Sequence, residues 1–295
     1  MFCSSSPLPI TFSIPEEKII SSFPKKTKLL SSLIPGDLKT YIYTTEKDYY
    51  SEYQSSYFAL TIKKAGWDCM RHYEIIANGC LPYFPDIEKC PPFTMVMLPK
   101  HLLVKSNHLY ETAKSQKNQV NLKEYSVLWV EMMAYLRAYL TTKKVSMSIL
   151  ERTGHKKATS ILFLSGCIRP DYLRCLTLHG LKRCIGSKCH DYPKLPHMYT
   201  TFNGGNLYGR GFSYSKLLDP CDRNDALDIT LLEDIQSKQY DIIIYGSYHR
   251  GMPMYDFVCE HYPPSKIILL CGEDLHCCDN STFIQKGHPV FVREM

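Results

Sequence analysis

A chain of 295 residues, 44% apolar and 22% charged, has room for two units of about 150 residues, each with a sizeable core. That balance excludes a disordered or fibrous protein. The net charge of +6, spread without a concentrated Lys/Arg tract, suits small anionic ligands and gives no sign of nucleic-acid binding.

In chain order, the opening residues MFCSSSPLPITFSIPEEK lack a basic n-region and a long apolar core, so no secretory leader is expected. No later run reaches the ~18 uninterrupted apolar residues of a spanning helix, which predicts a cytoplasmic chain with no membrane span. The 13 scattered cysteines fit that reduced compartment as small buried thiols rather than a disulfide frame. ITFSIPEEK (10–18) reads as the opening strand of a domain. Tyrosines then crowd together: alternating Tyr41 and Tyr43 suit a half-buried strand, and EKDYYSEYQ (46–54) reads as a loop carrying the acid Asp48. Their rings also suit stacking on a sugar or a uracil.

The stretch from 56 to 84, SYFALTIKKAGWDCMRHYEIIANGCLPYF, is the most informative. An apolar run from Tyr57 to Ile62 predicts a strand, broken at Lys63-Lys64-Ala65-Gly66. A helix is expected to begin at Asp68 as N-cap and to stop at Asn78-Gly79, with a second strand from Cys80 to Phe84. Two lysines flanking a loop that opens onto free helix-start amides make an anion site suited to a diphosphate. Arg71 and Glu74, three residues apart, share a helix face with Asn78.

An Arg-x-x-Glu helix followed by Gly-Cys-Leu-Pro entering the next strand resembles the nucleotide-sugar half of exostosin-like glycosyltransferases, most closely over Ser56 to Lys100. The resemblance implies a B-type fold, α/β with two Rossmann-like domains whose parallel sheets face across a cleft. It implies Glu74 on the donor ribose and Lys63, Lys64, Gly66, Trp67, Asp68 and Arg71 about the diphosphate. It also implies transfer from a nucleotide sugar, UDP above all, to a glycan hydroxyl. The alternative is a non-catalytic nucleotide-sugar or glycan-binding module. An enzyme of this kind without an anchor fits a bacterial or large-DNA-virus setting, the latter placing it in the host cytoplasm.

After the motif, LKEYSVLWVEMMAYLRAYL (122–140) has helical spacing, and a polar connector follows at Glu151 to Lys157. Strands are then expected at 161–166, 241–246, 266–272 and 289–294, with helices at 173–181, 228–238 and 255–262 and a long loop holding NGGNLYGRG (203–211). Buried strands alternating with helices predict a second parallel sheet. Residues 1–150 thus form a donor-binding unit and 151–295 an acceptor-side unit. The family has the opposite order, so the resemblance implies a circular permutation, joining Met295 to Met1.

Ligands of such sheets bind beyond the carboxyl ends of the strands. Those ends carry Ser165-Gly166, Ser247 to Arg250, and Glu273-Asp274. Asp274, His249 and Glu273 are the candidate catalytic bases, Asp274 first, and Gly166, Ser247, Arg250 and Asp48 the acceptor-side candidates. No Asp-x-Asp occurs, so protein cations are expected to replace a metal, and no G-x-G-x-x-G follows a strand, which argues against a dehydrogenase. Cys184, Cys189 and His190, with His276, Cys277 and Cys278, lack paired C-x-x-C spacing, so no structural zinc is expected.

Overall fold

The computed structural model describes residues 6–274 and 280–295. In chain order it contains β1 (Leu8–Pro9), β2 (Lys28–Leu30), α1 (Glu46–Gln54), β3 (Ser56–Leu60), α2 (Met70–Ala77), β4 (Leu81–Tyr83), α3 (Lys100–Ser115) and α4 (Leu122–Tyr135). Then come α5 (Thr142–Arg152), β5 (Ile161–Leu164), α6 (Tyr172–Ile185), β6 (Cys189–Tyr192), α7 (Leu231–Gln236), β7 (Ile242–Tyr245), α8 (Tyr255–His261), β8 (Ile267–Cys271), α9 (Ser281–Gln285) and β9 (Val290–Val292).

The architecture is α/β with two parallel sheets, one of three strands in the order β2-β3-β4 and one of six in the order β1-β9-β8-β7-β5-β6. The runs ILFL, IIIY and IILLC are buried along their whole length, as strands covered on both faces must be. Helix α6 packs its apolar residues on one face, while Leu231 and Ile235 of α7 and Val258 of α8 cover the other. Counted from β5, the sheet runs second-first-third-fourth-fifth, a common doubly wound order. Its switch point lies between β5 and β7, where the connections leave in opposite directions.

A single buried cluster continues through both sheets, from Phe58, Tyr73 and Leu102 by way of Leu140 and Ile149 to Ile161, Phe163 and Leu176. Helices α5 and α6 cross closely where Gly180 lies against the Thr142 carbonyl, which an added Cβ would approach to 2.1 Å. Gly180→Ala gains about 1 kcal/mol of helix propensity but overpacks a backbone crossing, which typically costs ~1–3 kcal/mol. We expect net destabilisation, read as a lower urea midpoint. A raised midpoint would refute the close crossing.

Several elements differ from the sequence expectations. The first strand is Leu8–Pro9, which pairs with the last, and residues 10–14 continue as extended chain with Ile14 bridging Thr141. EKDYYSEYQ is a helix rather than a loop, because the Thr45 hydroxyl caps it, accepting the Asp48 N–H and donating to the Asp48 carboxylate. Tyr41 and Tyr43 are not in a strand; their hydroxyls serve Arg71 and Glu52. The 122–140 helix is α-helical to Tyr135 and then widens into a π segment, Leu136–Leu140. Helix α7 begins at Leu231, not at 228, since Asp228 is held by Arg223 and His190.

Every cysteine among the described residues is a free thiol, with Cys80, Cys175, Cys189 and Cys271 buried. His190 spends its ring nitrogens on Tyr240 and Asp228, which leaves it no lone pair for zinc; His276, Cys277 and Cys278 lie outside the described residues. No helix among the described residues is long and apolar enough to cross a membrane.

Candidate functional site

The loop between β3 and α2 is set by His72. Its Nε2–H donates to the Trp67 carbonyl at 2.8 Å, so Nδ1 accepts from Thr61 Oγ1 at 2.9 Å. Burial pushes this imidazole down to about 3, and the neutral ring stacks on Phe84. The turn closes with Lys64 N–H on the Gly66 carbonyl, and Lys63 Nζ lies 5.5 Å from the Trp67 ring centroid. Both lysines are exposed and form no ion pair among the described residues.

The amides expected to face a diphosphate face a carboxylate of the chain itself. Trp67 N–H and Asp68 N–H donate to Glu294 Oε2 and Oε1 at 3.1 and 2.9 Å. Gly66 permits this approach: a Cβ there would lie 2.6 Å from Glu294 Oε1. Arg293, fully buried, joins the group through the Asp68 and Gly272 carbonyls, Glu294 and Asp274. Asp68 is not the N-cap of α2, a place taken by Cys69. Its carboxylate instead receives Phe12 N–H at 2.7 Å and the Tyr73 hydroxyl at 2.9 Å, which ties the first residues to the motif.

Burial pushes the Asp68 carboxyl up to about 6 from 3.8, against the opposing pull of Arg293. A carboxyl raised in the folded chain takes its proton there first, so its contribution to stability falls as pH rises from 3.8 to about 6. Glu52 acts oppositely: burial raises it, but hydrogen bonds from Lys28, Tyr43 and Ser32 outweigh this and hold it at about 2. Its contribution is present above 4.5 and lost as pH falls toward 2. We expect Asp68→Asn to flatten the pH dependence of the urea midpoint between neutral pH and 3.8. An unchanged profile would exclude Asp68 as its source.

Arg71 and Glu74 do share a face of α2, yet they are not an ion pair. Glu74 is buried, its Oε2 taking the Tyr49 hydroxyl at 2.8 Å and its Oε1 the Ser213 hydroxyl at 2.5 Å. Burial raises its pKa above the usual carboxylate value. Ser213 also bonds Tyr50 and Glu46, and it holds a left-handed φ of 67° that a non-glycine residue rarely adopts. The segment after NGGNLYGRG therefore covers Glu74. Arg71 Nε donates to the Tyr41 hydroxyl at 3.2 Å, while Nη1 is buried with no hydrogen-bond partner, and no acid pairs with this guanidinium among the described residues. Asn78, on the same face, serves as the C-cap of α2 and binds Gln54.

The second gathering lies at the switch point. Ser165 and Gly166 follow β5, Ser247 to Arg250 follow β7, and Glu273 follows β8. Gly166 packs on Gly251 so closely that a Cβ would meet its carbonyl at 2.2 Å, which brings the two loops together. His249 Nε2 is 2.7 Å from Glu273 Oε1 and 4.0 Å from Asp171 Oδ2. Arg250 reaches the same two acids, with Nη2 2.9 Å from Glu273 Oε1 and Nε 3.6 Å from Asp171 Oδ2. Ser165 Oγ, Ser247 Oγ and both His249 ring nitrogens are buried without a hydrogen bond. Buried hydroxyls and an imidazole left unmatched are costly unless a ligand or water meets them.

The expected bases part company here. Beyond the end of β8 the chain bends at Asp274, and the two acids part: Glu273 turns to His249 while Asp274, its side chain 55% exposed, turns to Arg293. Asp48 belongs to neither group; it is exposed on α1. Glu294, Ser213 and Tyr49 escaped sequence reasoning because their partners lie far along the chain. Asp171 had a visible signal, an acid just before an apolar helix, which reads as a cap; it is one, but only its Oδ1 is used that way. No protein-family model, curated protein or solved structure matches the chain.

Proposed function

We propose that the protein is a glycosyltransferase that moves a sugar from a nucleotide donor, UDP-linked, to a glycan hydroxyl. The observation that carries this reading is the Arg71 guanidinium, bonded to the Tyr41 hydroxyl alone, with a buried nitrogen unmatched and no acid paired to it among the described residues. A half-buried cation with one nitrogen sealed and unmatched suits an anion, and Glu74 beside it suits ribose hydroxyls as an acceptor. Donor entry requires Ser213 to leave Glu74. Lys63 and Lys64 add charge at the mouth. At the other rim, while no cation occupies the cluster they form with Asp171, His249 and Glu273 are the groups best placed to take a proton from an alcohol.

Calorimetric titration with UDP tests the reading. A charge-assisted hydrogen bond is worth ~1.5–3 kcal/mol, so Arg71→Ala or Glu74→Ala should weaken UDP binding by about one to two orders of magnitude. The affinity should be the same in EDTA and in manganese, because protein cations carry the phosphate charge. Absence of UDP binding, or equal affinity in both folded variants, overturns the assignment. A non-catalytic binding module is the second reading, favoured by the Glu294 carboxylate on the loop amides. UDP-sugar hydrolysis without acceptor separates the two, since a binding module turns over nothing.

A further inference from the structure

We infer that Asp171, His249 and Glu273 form a binding site for a divalent transition-metal ion, and this does not rest on the glycosyltransferase reading. One ligand atom from each residue lies within 4.8 Å of the other two. The three come from separate segments, the α6 cap, the turn after β7 and the tip of β8, and converge at the switch point of the six-stranded sheet. Asp171 Oδ1 is fixed by the Arg174 amide, which leaves Oδ2 turned toward His249.

His249 supplies an independent sign. Its side chain is only 10% exposed, yet neither ring nitrogen has a hydrogen bond, and the 2.7 Å approach of Nε2 to Glu273 Oε1 is without hydrogen-bond geometry. Metal-binding imidazoles sit among their fellow ligands in this way, with the lone pair aimed at a shared centre rather than an N–H aimed at an oxygen. One imidazole and two carboxylates suit Mn²⁺, Fe²⁺ or Zn²⁺. Three protein ligands leave coordination positions for water or substrate, the pattern of a reactive rather than a structural site. The unmatched hydroxyls of Ser165 and Ser247 on the same rim are available to water or substrate there.

Arg250 is the opposing charge. Its guanidinium bonds Glu273 Oε1 and faces Asp171 Oδ2, so it competes with an incoming dication for both acids. Its side chain is 31% exposed and can swing outward. Removing it should therefore tighten metal binding, whereas a purely structural ion-pair cluster would only lose stability.

The experiment is titration of the full chain, under reducing conditions, with Mn²⁺ and with Co²⁺, followed by calorimetry and by the visible absorption of Co²⁺. One equivalent should bind. His249→Ala and Glu273→Gln should each lower the affinity by more than the ~10–100-fold typical of outer-shell changes, and Arg250→Gln should raise it. Glu273 is partly exposed and the Gln variant nearly isosteric, so it carries the test if His249→Ala fails to fold. Absence of stoichiometric binding by the unmodified chain overturns the inference. So does binding that survives in folded Glu273→Gln with a thiolate-type Co²⁺ spectrum, since the ion would then sit on cysteines.

Discussion

Arg293→Ala is expected to destabilise the chain by about 3–5 kcal/mol, the usual cost of removing one partner from a buried ionic group. The guanidinium lies 4.3 Å from the Phe12 ring, bonds the Asp68 and Gly272 carbonyls, and pairs with Asp274 and Glu294. Its loss leaves Asp68 and Glu294 facing each other in a buried space. Surface pairs are worth too little to produce such an effect, and the difference decides whether Arg293 is interior or rim. Arg293→Lys should recover only part of the loss, because a single ammonium cannot span that fork of acceptors. Urea denaturation of both variants provides the measurement; a cost below about 1 kcal/mol for Arg293→Ala would mean the group is solvated and weak.

Asp191→Ala should cost a similar ~3–5 kcal/mol for a different reason. Asp191, on β6, neutralises Lys182 at 2.9 Å, lies 3.5 Å from Arg223 Nε and accepts the Tyr199 hydroxyl, with Lys182 and Asp191 both sealed from solvent. Arg223 keeps Asp225 and Asp228 as partners, but among the described residues Lys182 keeps only the Cys189 and Asp222 carbonyls. The penalty is therefore mainly that of a stranded ammonium. Replacing both partners, Lys182→Met with Asp191→Leu, should regain more than half of it, since apolar side chains of similar volume need no counter-charge. If the double variant is no better than Asp191→Ala, the cost lies in the Tyr199 and backbone contacts instead.

The strands β5, β7 and β8 were legible because short runs such as ILFL and IIIY have no polar residue to place elsewhere. The β3-loop-α2-β4 unit was legible because Lys63 to Gly66 and Asn78-Gly79 interrupt apolar runs with residues of fixed local preference. EKDYYSEYQ misled because its helix is decided by the Thr45 cap and by burial of Tyr49, Tyr50 and Tyr53 against a distant segment, not by its own polarity pattern. The anion site was legible as a set of free amides, but not its occupant: Glu294 is more than two hundred residues away, and local spacing carries no information about such a contact. The strand tips were legible as a rim. That Glu273 and Asp274 turn to different partners needed the direction of each Cβ, which sequence supplies only once the strand register is known.

The buried cluster that passes from the three-stranded sheet into the six-stranded one sets how the molecule can breathe. Two halves with separate interiors can rotate about a connector at little cost. Here rigid rotation would pull apart side chains such as Leu98, Leu140 and Met198 and expose them to water. The chain should accordingly melt as one cooperative unit, and access to Glu74 should come from peeling back the 207–216 segment, whose left-handed residues Arg210, Ser213 and Lys216 already hold it away from relaxed backbone.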